Sequence, residues 1–479
     1  MPIVLKDFQA EGVKKMHEIE KTHSIGGLLS FQLGLGKSIT MTVFLLERKK
    51  IENPTIPDLI IVPLAVLLQW KSEIHKVDDT QKVHIYHGRN RVDELKKLGY
   101  KNFDFIICTY YPLITGELEE YEWQRVVIDE SHILRNGYTM NHRSIPKKVI
   151  GAYNLIPKSK FRWCITGTPY NNRKEDILPL MTFVGYKDIE ISHINNFIEK
   201  FVLQKSKDGI MKPIITQDIP IDRPLEGMEM YNETYKKYGR LIGRLSHCNP
   251  LEAKKLYKQA MNLLTQLRIF CNFMIFTTFK KFVVEKDEDE DDEDEREEII
   301  INKKFSTEEK LEFYNSSPKI RIIYDKLIEI LPKCPENRVI IFSTYITTLE
   351  VLEAILNKNS PTVKTFKYTG QMNKHQRDIS ISSFTKEDSS EFMVLFATIG
   401  AGNVGLNLVP CSTVFIADLP INPFELFQAV NRVHRITQKH EVNVFRFYMK
   451  DMIEDNILKT HGLKIKEAGS SGLLVDLKK

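Results

Sequence analysis

The apolar run Leu28-Leu29-Ser30-Phe31 turns through Gln32-Leu33-Gly34-Leu35-Gly36-Lys37 into a helix from about Ser38, and this stretch constrains the chain most. A strand that feeds a glycine loop and then a helix is the shape of a phosphate cradle. The backbone N–H groups of Gly34, Leu35 and Gly36 can close on phosphate oxygens, and the helix adds its positive end. Lys37 supplies a point charge and the Ser38 hydroxyl can hold Mg²⁺. The implied ligand is a nucleoside triphosphate. A strand-to-helix turn without ligand is the alternative, because the full G-x4-G-K-[ST] pattern has a glycine where this chain has Phe31.

The stretches downstream decide between these readings. Leu59 to Val62, Val83 to His87 and Phe105 to Thr109 are short apolar or β-rich runs separated by helical segments such as Val66 to Ile74. That alternation predicts an α/β fold with a parallel sheet covered on both faces. Arg125-Val126-Val127-Ile128 ends in Asp129-Glu130, 92 positions after Lys37. A strand that ends so places both carboxylates at the carboxyl edge of the sheet, where ligands of open α/β sheets bind. Asp129 would hold the Mg²⁺, and Glu130 would orient and deprotonate the attacking water. Trp163-Cys164-Ile165 then runs into Thr166-Gly167-Thr168-Pro169, either an ordinary turn or a segment that senses the γ-phosphate.

At 479 residues the chain is too long for a single core, and the usual domain size suggests two to four. The longest apolar run, Leu59 to Trp70, contains Pro63 and is too short to span a bilayer, and Met1 to Leu5 does not read as a signal peptide. The six cysteines have no paired spacing, which points to neither a disulfide framework nor a zinc site. Net charge is +5, but residues 285–298 hold 12 acidic and 2 basic side chains, leaving 66 basic against 51 acidic elsewhere. The rest of the chain is therefore basic, as expected of a nucleic-acid binder or of scattered surface lysines. The acidic run itself reads as a disordered loop, a solvated linker or a DNA mimic.

Together these motifs resemble the Swi/Snf-like ATPases of helicase superfamily two. The likeness extends over nearly the whole chain and includes Val62-Pro63-Leu64 with Gln69-Trp70, Tyr86-His87-Gly88, Cys108-Thr109-Tyr110, Asp129-Glu130-Ser131-His132 and Gln266 to Asn272. The resemblance makes Gln9 an adenine reader at the start of a helix that begins near Leu5. It assigns His132, Thr166, Gly167 and Thr168 to coupling. In the second half it places Arg377, Gly402 and Asn407 near DNA, and Gln428 near the nucleotide. Gln428 to Gln438 contains Arg432 and Arg435, three apart and expected on one helical face, which the resemblance makes arginine fingers for the γ-phosphate. The chain departs from the family at Phe31, Gln32, Gly400, Ile421 and Thr437, none of which is a nucleotide-contacting position.

The resemblance implies two RecA-like parallel-sheet lobes of P-loop NTPase type. The expected layout is an ATP-binding lobe over 1–222, a helical insertion over 223–315 with the acidic loop 285–298, a second lobe over 316–450, and a brace helix and tail over 451–479. The expected activity is hydrolysis of ATP with Mg²⁺ to move along double-stranded DNA and remodel a bound protein target such as a nucleosome or polymerase. Two alternatives stay open, a strand-separating DNA or RNA helicase serving transcription and an ATPase-idle DNA-binding scaffold. The expected compartment is the nucleus, or a viral replication compartment or virion, since the Lys-, Ile- and Asn-rich composition suits a large DNA virus.

Overall fold

The structure, a computed structural model, describes residues 4–137, 145–167, 174–207, 209–245, 248–274, 305–386, 391–402 and 408–470. Two compact units divide the chain between Ile210 and Met211. The acidic run 285–298, Thr168 and Asn407 lie outside the described residues.

The first unit is built on seven strands: β1 (Gly27–Phe31), β2 (Asp58–Ile61), β3 (Val83–Tyr86), β4 (Phe105–Cys108), β5 (Trp123–Ile128), β6 (Ser159–Ile165) and β7 (Val202–Lys205). Their order is β3-β4-β2-β5-β6-β1-β7, and each neighbouring pair runs parallel. Every residue of β1, β2, β4 and β5 is buried. That is why these strands are unbroken apolar runs and not in–out alternations. Three helices matter for the site: α1 (Asp7–His23), α2 (Lys37–Glu52) and α3 (Leu67–Val77). α1 buries Val13, Met16 and Ile19, while Gly12 comes so close to β1 that an added Cβ would lie 2.9 Å from the Phe31 ring.

The second unit has six parallel strands, β8 (Ile214–Ile221), β9 (Arg338–Ser343), β10 (Lys364–Tyr368), β11 (Met393–Thr398), β12 (Thr413–Ile416) and β13 (Val442–Met449). Their order is β10-β11-β9-β12-β13-β8. Ile214 to Ile221 pairs with β13 from Val442↔Ile214 to Met449↔Ile221, so residues expected to close the first lobe, up to 222, form an edge strand of the second sheet. Pro220 fits there because an edge strand can leave one side without ladder donors.

The helices Met228–Leu245 and Pro250–Phe273 follow β8, in the span expected as an insertion. The second of them ends within the core of this sheet: Leu267, Phe270 and Cys271 are fully buried. Arg268 donates to Leu419 O at 2.7 Å, and Asn272 donates to Thr348 Oγ1 at 3.1 Å. Lys319 Nζ, itself buried, donates to Asn272 Oδ1 at 2.8 Å and to Glu454 Oε1 at 2.6 Å. Glu454 lies in the first turn of the helix Ile453–Ser470, where the brace helix was expected. No helix among the described residues is long and apolar enough to cross a membrane.

Candidate active site

The order β5-β6-β1 places three sequence motifs side by side at the carboxyl edge of the first sheet. After β1 the chain passes Gly34 at φ 91° and Gly36 at φ 80°, values that side-chain-bearing residues adopt only with strain. Gly36 is the N-cap of α2 and has no side chain to bond the first N–H groups of that helix, which by geometry lack intrahelical acceptors. Those donors and the helix dipole make an anion site at the loop. Lys37 and Ser38 begin α2, and Lys37 is 9% exposed.

Gln9 closes over this loop from α1. Its Nε2 donates to Leu35 O at 2.9 Å, and its Oε1 accepts from Lys6 N at 2.9 Å. A Cβ on Gly36 would stand 2.5 Å from Gln9 Nε2, so the glycine is needed for room as well as for its φ. Gly167 is the matching close approach from β6. A Cβ there would meet Leu33 Cγ at 2.8 Å and lie 3.3 Å from Lys37 Nζ. Thr166 is fully buried, its N–H bonded to Leu29 O at 3.2 Å.

β5 delivers the carboxylates. Asp129 is 8% exposed, with Oδ2 accepting from Trp70 Nε1 at 2.8 Å and Oδ1 from Glu130 N at 2.9 Å. Tyr110 OH donates to Asp129 O at 2.6 Å. Burial, and next the neighbouring Glu130 charge, push the Asp129 carboxyl up to about 6 against the pull of Trp70 and Lys37. Glu130 sits at φ 48°, a strained left-handed conformation, and its Oε2 is 3.2 Å from His132 Nδ1. A half-exposed acid beside a buried, reluctant one is an arrangement that a divalent cation would stabilise. Mg²⁺ suits it, because Mg²⁺ takes one or two protein oxygens and leaves its other positions to water and phosphate.

Trp70 and Tyr110 belong to segments that carried the family likeness, but no role for either could be read from the sequence. Both are aromatic residues with a polar tip, one on α3 and one just after β4, and each spends its donor on Asp129. Gln32, one of the departures from the family, has its Oε1 accepting from Lys207 N at 2.7 Å.

In the second unit Gln428 is half-buried on the helix Pro423–Val430. Arg432 and Arg435 do not share that helix, as their spacing had suggested. The helix ends at Val430, and both arginines occupy the turns beyond it, with Arg432 N bonded to Ala429 O at 3.1 Å and Arg435 N to Val433 O at 3.2 Å. The reason is local: Asn431 N still closes a helical bond to Phe427 O, but Arg432 N and Val433 N bond three residues back, to Ala429 O and Val430 O, which tightens the chain out of α-helical pitch. Arg377 donates to Thr369 O at 3.0 Å and Gly370 O at 2.7 Å and stands 5.6 Å over the Tyr368 ring. Part of its guanidinium thus shapes the Tyr368-Thr369-Gly370 segment. Gly402 ends the short helix Ile399–Gly402.

Two family descriptions match the chain, the SNF2-related domain over residues 8–210 and the helicase conserved C-terminal domain over residues 322–437. Among curated relatives, the ISWI chromatin-remodeling complex ATPase ISW2 of Saccharomyces cerevisiae is 27% identical, over 96% of this chain and 40% of that protein. The probable ATP-dependent DNA helicase CHR12 of Arabidopsis thaliana is 28% identical, over 95% of this chain and 41% of that protein. The chain thus spans less than half the length of these relatives. A solved SWI2/SNF2 ATPase core of Sulfolobus solfataricus in complex with dsDNA is 22% identical, covering 98% of this chain and 95% of that one, with a TM-score of 0.42.

Proposed function

The chain belongs to the SNF2-related ATPases of the helicase superfamily, and from that membership we propose that it hydrolyses ATP and uses the cycle to move along double-stranded DNA. The observation that carries the reading is the meeting of Lys37, Asp129 with Glu130, and Thr166-Gly167 at one sheet edge beneath Gln9. Each part has a chemical task. The loop N–H groups and Lys37 hold the phosphates, and Gln9 is placed to read the base. Ser38 and Asp129 are the ligands for Mg²⁺, which when bound neutralises charge on the phosphate oxygens. Glu130 takes the proton of the attacking water, with His132 against its Oε2. Thr166 and Gly167, packed on the loop, are suited to couple nucleotide state to the rest of the chain. Arg432 and Arg435 are assigned the arginine-finger role, and Gln428 a nucleotide contact, by family likeness.

The basic surplus outside 285–298 supports a phosphate-directed, sequence-independent interaction with duplex DNA. Arg377, Gly402 and Asn407 remain proposed contacts there. The biological target is proposed as a DNA-bound protein, in keeping with relatives named for chromatin remodeling, and the compartment is wherever that DNA lies, nuclear or viral. The test is steady-state ATPase rate without nucleic acid, with duplex DNA, with single-stranded DNA and with RNA, at two salt concentrations. Stimulation mainly by duplex DNA, weakened at high salt, is the expected result. Preference for single strands or RNA would replace the translocase with a strand-separating helicase, and no hydrolysis on any of them would leave a DNA-binding scaffold.

A further inference from the structure

Away from the nucleotide edge, the first unit buries a second cluster of charges that the reaction does not use. Arg125 lies on β5, and its side chain is fully buried. Its Nε donates to Glu20 Oε1 at 2.9 Å and its Nη2 to Glu20 Oε2 at 2.7 Å, a bidentate pair with a carboxylate that is also fully buried. Nη2 also donates to Glu52 Oε2 at 2.7 Å. Trp163 Nε1 on β6 donates to Glu20 Oε1 at 2.9 Å, and Arg48 Nε lies 3.1 Å from Glu20 Oε2.

The connectivity gives this cluster its interest. Glu20 stands near the end of α1, the helix whose other end carries Gln9. Glu52 is the last residue of α2, the helix that opens with Lys37 and Ser38. Arg125 lies on β5, the strand that Asp129 directly follows. One guanidinium therefore ties the far ends of both nucleotide-facing helices to the strand that delivers the carboxylates. At 1.5 Å per residue, Gln9 and Glu20 are about 16 Å apart along α1, so a shift of a rigid helix at Glu20 is carried to Gln9. Gln9 has little room for it: its amide must meet Leu35 O at 2.9 Å while lying against Gly36. Apolar packing through Val13, Met16 and Ile19 fixes which face of α1 is buried, but it is non-directional and sets the position along the helix axis weakly. A bidentate arginine–carboxylate pair does set it, because two parallel bonds fix both direction and distance.

We propose that Glu20 is a positioning residue for nucleobase recognition, its buried pair with Arg125 holding α1 at the height where Gln9 covers the glycine loop. The proposal rests on the reading of Gln9 as the adenine contact. Burying three or more charges is a costly way to pack a helix, and an apolar pair of similar volume would serve stability as well or better. Directional placement is what such a pair adds.

The test compares kcat and KM for ATP and for GTP in the full chain with saturating duplex DNA, for wild type, Gln9→Ala, Glu20→Gln, Glu20→Asp and the double variant Gln9→Ala/Glu20→Asp. Glu20→Asp keeps the charge but shortens the side chain by one methylene, so it folds more readily than Glu20→Gln while displacing α1. Wild type is expected to prefer ATP, and Gln9→Ala to reduce that preference. Glu20→Asp should raise KM for ATP about tenfold, leave kcat within about twofold, and reduce the ATP-over-GTP ratio. The double variant should be no less selective than Gln9→Ala alone. If Gln9→Ala lowers the ratio while Glu20→Asp leaves it at the wild-type value, Glu20 is purely structural and the proposal is overturned. If Gln9→Ala leaves the ratio unchanged, the nucleobase reading fails and takes the proposal with it.

Discussion

Lys319→Met isolates the buried ion pair of the second unit and gives it a measurable pH signature. Lys319 and Glu454 both have fully buried side chains, and the ammonium lies 2.6 Å from the carboxylate. Methionine has nearly the volume of lysine, so the substitution strands Glu454 while opening little space. Burial already pushes the Glu454 carboxyl up, and the Lys319 charge is the largest influence holding it down. Without Lys319 the cheapest response is for Glu454 to take a proton on folding.

Keeping a carboxyl with an unfolded value near 4.3 protonated at pH 7 costs about 1.36 kcal/mol per unit, hence about 3–4 kcal/mol. This agrees with the ~3–5 kcal/mol typical of breaking a buried pair from one side. Asn272 Oδ1 also loses the donor it has at 2.8 Å, about 1 kcal/mol more. The sign follows from a folded value raised above the unfolded one: the penalty is absent below about pH 4 and grows as pH rises. Wild type, whose Glu454 carboxyl is already raised, carries part of this cost, so relative to it the variant should be less stable by at most about 4–5 kcal/mol at pH 7 and by less at pH 5. Equilibrium urea denaturation, read by hydrogen exchange of β13 and the helix Pro318–Ile330, measures it in the second unit. Adding Glu454→Gln should recover most of the loss and remove its pH dependence, since the glutamine oxygen can still accept from Met449 N, now 2.9 Å from Glu454 Oε2. A loss of equal size at pH 5 and pH 7 would refute the reasoning, because a stranded carboxylate cannot behave so.

Glu130→Gln should bind ATP within a few-fold of wild type but turn it over about 10²–10⁴ times more slowly, measured by nucleotide binding alongside steady-state ATPase; near-normal turnover would remove Glu130 as the base. For Asp129, whose carboxyl is raised to about 6 from an ordinary 3.8, ionisation costs the Mg²⁺-free fold about 2–3 kcal/mol, fully felt above pH 6 and absent below about pH 4. Asp129→Asn should therefore stabilise the Mg²⁺-free protein at pH 7 but not at pH 4 in thermal denaturation, while Mg²⁺-dependent turnover is lost; destabilisation at pH 7 would contradict this. Gly36→Ala places a Cβ 2.5 Å from Gln9 Nε2 at φ 80° and should weaken ATP binding at least tenfold in titration calorimetry. Gly239→Ala, on the helix Met228–Leu245 with nothing within 4 Å, is the control and should add about 0.5–1 kcal/mol of stability.

The strand-and-loop grammar of the first sheet, the glycine loop, and the Asp129-Glu130 strand end were legible in the sequence because each is local. An apolar run of four residues, a glycine at a forced φ and a carboxylate after a strand need only neighbouring residues to be recognised. The family likeness added Gln9 and the paired arginines, whose patterns alone carry no such meaning. The assignment of Ile214–Ile221 to the second sheet was not legible, because a half-exposed run with a proline becomes a strand only when β13 stands beside it. The helical placement of Arg432 and Arg435 gave way for a related reason: spacing of three suits a helix and a series of tight turns equally, and the backbone bonds after Val430 decided between them. Trp70 and Tyr110 on Asp129, Arg125 on Glu20 and Glu52, and Lys319 on Glu454 join residues 59, 19, 105, 73 and 135 positions apart. Such pairs are fixed by strand order and by the cost of leaving a buried charge or donor without a partner, and neither is written at any single position in the chain.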